Sequence, residues 1–112
     1  MSAPTKQSFA QPDSTMDMME KITVDVVNVH GTTLQRVTTD PGWIWSVHSR
    51  PLQKTDSCQV DHVLYMISGK VAAKDDDGNE VDYVAGDLAH IPPGHDGWTV
   101  GDEPAVWIEV PH

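Results

Sequence analysis

The 112-residue sequence has little cysteine, little positive charge and no long apolar run. Its single cysteine, Cys58, excludes an internal disulfide, which is typical of proteins in the reducing cytoplasm, so we expect a cytoplasmic protein. No run of about 18 apolar residues is present, so the sequence predicts no membrane-spanning helix. The first 15 residues have no apolar core, and we therefore expect no secretory signal there.

Positive charge is scarce: seven lysines and arginines stand against 17 aspartates and glutamates, which gives a net charge of −10. Nucleic acids and anionic membranes bind positive surfaces, so neither is an expected partner. The acidic surplus favours solubility and by itself identifies no cationic ligand. The sequence also lacks a glycine-rich phosphate loop, a CxxC pair and the GxSxG elbow of serine hydrolases.

The length predicts one domain with a short extension. Residues 1–20 are mainly polar and show little apolar periodicity, so we expect a flexible N-terminal arm. Within this arm, Asp13 or Ser14 is a candidate cap for one helical turn through Glu20. The folded domain is predicted to span residues 21–112.

From Ile22 onward, short stretches rich in apolar and β-branched residues alternate with turn signals, and no stretch has a helical period. Such a pattern predicts an all-β sandwich or barrel. The polar stretch 50–57 is predicted to be a loop, and Asp75 to Asn79 the loop of a hairpin. The predicted strands are 22–26, 34–39, 43–48, 58–67, 70–74, 80–84, 88–91, 98–100 and 105–110.

Two segments resemble the halves of the cupin signature, G-x5-H-x-H-x3-E-x6-G and G-x5-P-x-G-x2-H. The glycine and proline positions that keep its spacing are Gly69, Gly86, Pro92 and Gly94. Asp56 and Cys58 stand where the two histidines are expected, and His62 stands at the glutamate. Gly97 replaces the last histidine, and His95 lies two residues before it.

The stretch PGWIWSVH, residues 41–48, is similar to a PGW-x-W-S-x-H segment in a subgroup of small cupins. The resemblance covers about residues 42–110 and implies a double-stranded β-helix, or jelly-roll barrel. Cupins hold a metal or a small ligand between the two halves of the barrel. Those of this size commonly pair, so the resemblance also implies a homodimer.

Residues separated by an even number of positions in a strand share parity, which means that their side chains point to the same face of the sheet. In cupins the face that carries the ligand positions points into the barrel, so parity selects the candidate site. Cys58 and His62 share parity, and His95 shares the inward parity of Gly97. We therefore expect Cys58, His62 and His95 to converge, with Asp56 at the mouth of the barrel. The other residues that share this parity, predicted to line the pocket, are Leu64 and Met66.

A thiolate and two imidazoles suit a divalent transition metal better than magnesium or calcium. The donor set fits zinc, nickel, copper or ferrous iron, and the best-known cupin metalloenzymes use iron, manganese or nickel. Cys58, His62 and His95 are the predicted metal ligands, with Asp56 as a supporting group or base. His48 is a fourth candidate for the pocket.

Three functions remain open at this point. The first is a small metalloenzyme, acting on a small organic molecule by polarising a carbonyl or activating water. The second is a metal-free module whose polar groups orient a small apolar or aromatic ligand. The third is a structural or regulatory dimer, in which Cys58 and His62 are core residues and His95 stabilises a loop. In each case Trp43, Trp45 and Trp107 fill the core, a dimer seam or an apolar ligand wall.

Overall fold

In a computed structural model, residues 3–111 are described, and among them nine strands form two antiparallel sheets. The first two residues of the predicted arm, and His112 at the end of the predicted domain, lie outside the described residues. The strands are β1 Ser14–Met16, β2 Ile22–Val29, β3 Thr32–Thr39, β4 His62–Ser68, β5 Lys70–Asp75, β6 Glu80–Val84, β7 Leu88–Ile91, β8 His95–Thr99 and β9 Ala105–Glu109. A π-helical turn, Trp45–Ser49, continues into α1, Arg50–Gln53.

The larger sheet has the order β1-β2-β3-β9-β4-β7, and the smaller sheet has the order β6-β5-β8. The chain passes from one sheet to the other between β4 and β5, through Gly69 at φ +71°. A Cβ on Gly69 would collide with the backbone carbonyl of Pro104, so the position requires glycine. These features confirm the all-β jelly roll predicted from the sequence.

Alternating burial gives the sheets their inward faces. In β8 the buried positions are His95, Gly97 and Thr99, each separated by a half-buried residue. The core also takes Leu64 and Met66 from β4, two residues apart, because successive side chains of a strand point to opposite faces. The polar and apolar side chains on the inward faces of the two sheets therefore meet in the same interior between the sheets.

The predicted strand 43–48 is wrong, because Trp45–Ser49 forms the π-helical turn instead. Side chains accept hydrogen bonds from backbone amides that would otherwise donate to a neighbouring strand. The Ile44 amide donates to His48 Nδ1, and the Ser46 amide donates to Asp96 Oδ1, each at 3.0 Å. Pro51, in the first turn of α1, then favours helical geometry inside the segment predicted as a loop.

The N-terminal arm contributes a strand to the larger sheet. Ser14 to Met16 pair with β2 in the register Ser14 to Val26, so the helical turn considered there is absent. The long strand predicted over 58–67 begins only at His62, and Cys58 forms an isolated bridge with His95. None of the helices among residues 3–111 is long and apolar enough to cross a membrane.

Candidate metal and ligand site

A cavity of about 600 Å³ lies between the two sheets, within the size range of small-molecule sites. Much of its wall is apolar and comes from several elements, including Val24, Val37, Trp43, Trp45, Leu64 and Trp107. Exposed residues such as Gln53 and Val60 also line it, so the cavity reaches the surface. The wall also includes Cys58, His62, His95 and Glu109.

The backbone fixes Cys58 directly against the start of β8. The Cys58 amide donates to the His95 carbonyl at 2.7 Å, and the Gly94 amide donates to the Cys58 carbonyl at 2.7 Å. Cys58 is only 3% exposed. This bridge, rather than a continuous strand, brings the thiol beside the two histidines.

The two imidazoles meet edge to face, with ring centroids 5.1 Å apart and planes at 64°. His62 Nε2 lies 3.6 Å from Cys58 Sγ, and its Nδ1 lies 2.8 Å from Glu109 Oε1. His95 Nδ1 lies 2.7 Å from the Pro92 carbonyl oxygen. Because a carbonyl only accepts, His95 Nδ1 carries a proton, and its Nε2 is the ring nitrogen left for the site.

One donor atom from each of Cys58, His62 and His95 lies within 4.8 Å of the other two. The structure thus brings these three predicted site residues together. His62 and His95 each use one ring nitrogen to bind the protein, which leaves the other for the site. Ligating histidines in metalloproteins are commonly oriented in this way.

When no metal is present, the cluster favours an ionised Cys58 thiolate beside a protonated His62. Burial opposes ionisation of Cys58, but hydrogen bonds with His62 and His95 lower its pKa to about 6. Burial likewise opposes protonation of His62, but its bonds to Cys58 and Glu109 raise its pKa to about 9. Burial alone would raise the pKa of Glu109, but the hydrogen bond from His62 and the positive charge of His62 outweigh burial and lower that pKa.

Glu109 belongs to this cluster and was missed by the sequence analysis. It is 8% exposed, and its Oε1 accepts hydrogen bonds from His62 Nδ1 and, at 2.9 Å, from Trp107 Nε1. The available signal was parity in β9, because Ala105, Trp107 and Glu109 all occupy buried alternate positions. A carboxylate in phase with an apolar face needs a buried partner.

Gly97, which stands at the last histidine position of the cupin signature, is closely packed. A Cβ at Gly97 would lie 3.9 Å from two ring atoms of Trp43 and 3.3 Å from the Ala72 carbonyl oxygen. The Trp43 ring therefore occupies the space beside the position where the cupin signature has its last histidine. His95, on the same face of β8, is directed at Cys58 and His62 instead.

The structure corrects the placement of two predicted pocket residues. Asp56 is not at the mouth of the barrel: its side chain is fully exposed and pairs with Arg50 at 3.1 Å. The parity argument fails there because the strand begins six residues later. His48 also lies away from the cavity wall, since its Nδ1 accepts the Ile44 amide and its Nε2 is 3.9 Å from Glu20.

The two apolar pocket candidates on β4 differ in position. Leu64 is 2% exposed and lines the cavity. Met66 is fully buried in the core and is not part of the cavity lining, so the structure does not place it in the pocket. The inward face of β4 therefore contributes one wall residue and one core residue.

Comparison with known proteins identifies the family. The profile of the EutQ-like cupin domain matches residues 45–107, more than half of the chain. The chain belongs to the EutQ-like cupin family. The resemblance to cupins seen in the sequence is thus confirmed. No curated protein matches the sequence significantly.

Solved structures share the fold of this cupin. A protein of unknown function from Rhizobium leguminosarum is 18% identical, with a TM-score of 0.63 over 99% of this chain and 100% of its own. A cupin-like protein from Thermotoga maritima is 18% identical, with a TM-score of 0.60 and coverages of 94% and 80%. Oxalate decarboxylase of Bacillus subtilis, which has Mn(II) centres, is 24% identical with a TM-score of 0.58. This cupin aligns over 91% of its own length and spans 28% of that enzyme.

Proposed function

We propose that this cupin binds a divalent transition metal through Cys58, His62 and His95, and a small organic molecule in the adjoining cavity. The observation that carries the proposal is the clustering of three donor atoms within 4.8 Å on the wall of a 600 Å³ cavity. The Mn(II) centres of oxalate decarboxylase support a metal within this fold. The thiolate distinguishes the present donor set and favours zinc, nickel, copper or ferrous iron over manganese.

The distances fit such an ion. A tetrahedral zinc ion bonded to sulfur at about 2.3 Å and to nitrogen at about 2.0 Å would hold those two atoms roughly 3.5 Å apart. Cys58 Sγ and His62 Nε2 are 3.6 Å apart. The widest separation in the cluster is within 4.8 Å, so small side-chain movements would bring all three donors to one ion.

The chain itself would orient the ligands and shape the space around them. Glu109 holds the His62 ring, and the Pro92 carbonyl holds the His95 ring. An ion held by three protein ligands keeps a position for water or substrate, and it supplies Lewis acidity toward a carbonyl or a bound water. This arrangement suits a metalloenzyme acting on a small organic molecule.

Elemental analysis of protein without an affinity tag, reconstituted under reducing conditions, tests the proposal. We expect about one ion per chain, and below about 0.1 per chain in His62→Ala, since two remaining ligands bind weakly. His90→Ala is the matched control, because His90 is an exposed histidine bonded to Asp61 and should leave the content unchanged. Stoichiometric metal in His62→Ala would reject these ligands, and a metal-free wild type would reject the metal.

A metal-free ligand-binding module is the second candidate, and one observation favours it. Cys58, His62 and Glu109 already form a continuous chain of hydrogen bonds, so these buried groups have partners without a metal. Ligand binding by protein treated with a chelator, at an affinity unchanged by added metal, would select this function.

A homodimer and a cytoplasmic location are also proposed. The dimer is supported by exposed apolar side chains near the β7 edge of the larger sheet: Tyr65, Ile67 and Leu88 are 47%, 48% and 76% exposed. Light scattering on a sizing column should give twice the 12.3 kDa chain mass, and the chain mass alone would reject the dimer. Fractionation of the native cells tests the location.

A further inference from the structure

The cavity wall is rich in indole rings that offer mainly carbon surface. Trp43, Trp45 and Trp107 all line it, and each is at most 6% exposed. Trp43 Nε1 already donates to Ser49 Oγ at 3.1 Å, and Trp107 Nε1 already donates to Glu109 Oε1 at 2.9 Å. Trp45 Nε1 is buried without an acceptor among residues 3–111, so two of the three indole donors are committed within the protein and a ligand would meet mainly the rings.

The cavity has no lysine or arginine on its wall. The chain has seven such residues, all among residues 3–111, and none lines the cavity. Two carboxylates do line it, Asp61 and Glu109. Asp61 is bonded to His90, and Glu109 is bonded to His62.

In protein without metal, an anion entering the cavity would therefore meet two carboxylates and no lysine or arginine. The two ring nitrogens of His62 already face Cys58 Sγ and Glu109 Oε1. Moving an anion from water into this space is unfavourable, because burial without a partner removes its hydration. The net charge of −10 acts in the same direction.

We infer that the cavity selects a mainly apolar molecule, about the size of a substituted aromatic ring, that carries no negative charge. This rests on the proposed function only in placing the ligand beside the metal site. The selectivity belongs to the wall, so it holds in protein without metal. A small dianion such as oxalate, the substrate that names the structurally similar decarboxylase, is a poor match to this wall.

Two probes of one shape and different charge test the inference: benzamide is neutral and benzoate is an anion. Their binding to chelator-treated protein is measured by calorimetry or ligand-observed NMR. We expect benzamide to bind at least about tenfold more tightly than benzoate, which corresponds to about 1.4 kcal/mol. Equal or tighter binding of benzoate, or no binding of benzamide, would overturn the inference. Since no metal is present, none of these outcomes depends on the metal proposal.

A pair of variants separates the wall charge from the net charge. Gln53 is exposed and lines the cavity, whereas Gln59 is exposed and lies outside it. Gln53→Arg and Gln59→Arg change the net charge equally, and both positions tolerate a long side chain because they face solvent. We expect Gln53→Arg to tighten benzoate binding about tenfold and Gln59→Arg to leave it unchanged. The same benzoate affinity in both variants would contradict the role of the wall.

Discussion

Glu109 offers the sharpest test of the site, because one of its oxygens accepts hydrogen bonds from both His62 Nδ1 and Trp107 Nε1. Glu109→Gln keeps the shape and an acceptor oxygen but removes the charge. Loss of such a supporting interaction typically lowers metal affinity 10- to 100-fold, or about 1.4–2.7 kcal/mol. Glu109→Leu also removes the acceptor, so two buried donors lose their partner, at about 1–3 kcal/mol of stability each.

The assay is a competition titration of zinc against a chromophoric chelator, with thermal unfolding of the metal-free proteins in parallel. We expect Glu109→Gln to weaken zinc binding with little loss of stability, and Glu109→Leu to weaken both. Glu103→Gln is the matched control, because Glu103 is exposed in the turn before β9 and carries the same charge. If Glu109→Gln binds zinc as tightly as Glu103→Gln, the carboxylate does not support His62, and the reasoning is refuted.

The remaining predictions concern the metal-free protein. Thiolate absorbance should appear with a midpoint near pH 6, and the pKa of Cys58 should be higher in His62→Ala. An unchanged midpoint in the variant would contradict the assigned partner of Cys58. The lowered pKa of Cys58 contributes stability that is lost as pH falls through about 6. The raised pKa of His62 contributes stability that is lost as pH rises through about 9, and pH-dependent unfolding will measure both losses. Trp43→Phe should lower the free energy of unfolding by about 1–3 kcal/mol more than Trp45→Phe, as measured with denaturant. Trp43 Nε1 loses its bond to Ser49 Oγ, whereas Trp45 Nε1 has no acceptor among residues 3–111 to lose. Equal losses of stability in the two variants would refute this. Gly69→Ala should lower stability by more than about 2 kcal/mol or prevent folding, and a smaller loss would show that the Pro104 backbone yields.

The sequence predicted a strand correctly where the local pattern had only one structural interpretation. The hairpin of β5 and β6 was predicted within a residue, since Asp75 to Asn79 gives a strong turn signal between two β-rich stretches. The segment 43–48 alternates equally well, yet it forms a π-helical turn. Its amides bind His48 and Asp96, and Asp96 is about 50 residues away in sequence, so the local pattern could not reveal the competing partner.

The site was predictable where parity acted within a regular strand. His62 and Leu64 lie on the inward face of β4. His95 lies on the inward face of β8, which begins three residues before the strand predicted over 98–100. Asp56 was misplaced because parity was extended past the start of the strand into irregular chain. Cys58 also precedes β4, but its three backbone bonds to Gly94 and His95 keep the thiol inward.

The altered cupin signature has a consistent physical interpretation in this chain. Trp43 lies beside Gly97, the residue that stands at the last histidine of the signature, and its ring forms part of the apolar wall. His95 and Cys58 supply donors through one bridge between backbones, so neither can move far without the other. At position 97 the chain thus presents an aromatic neighbour instead of a ligand, and the donors come from the Cys58–His95 bridge. The apolar wall on which the proposed selectivity depends and the altered donor set therefore lie side by side in one cavity.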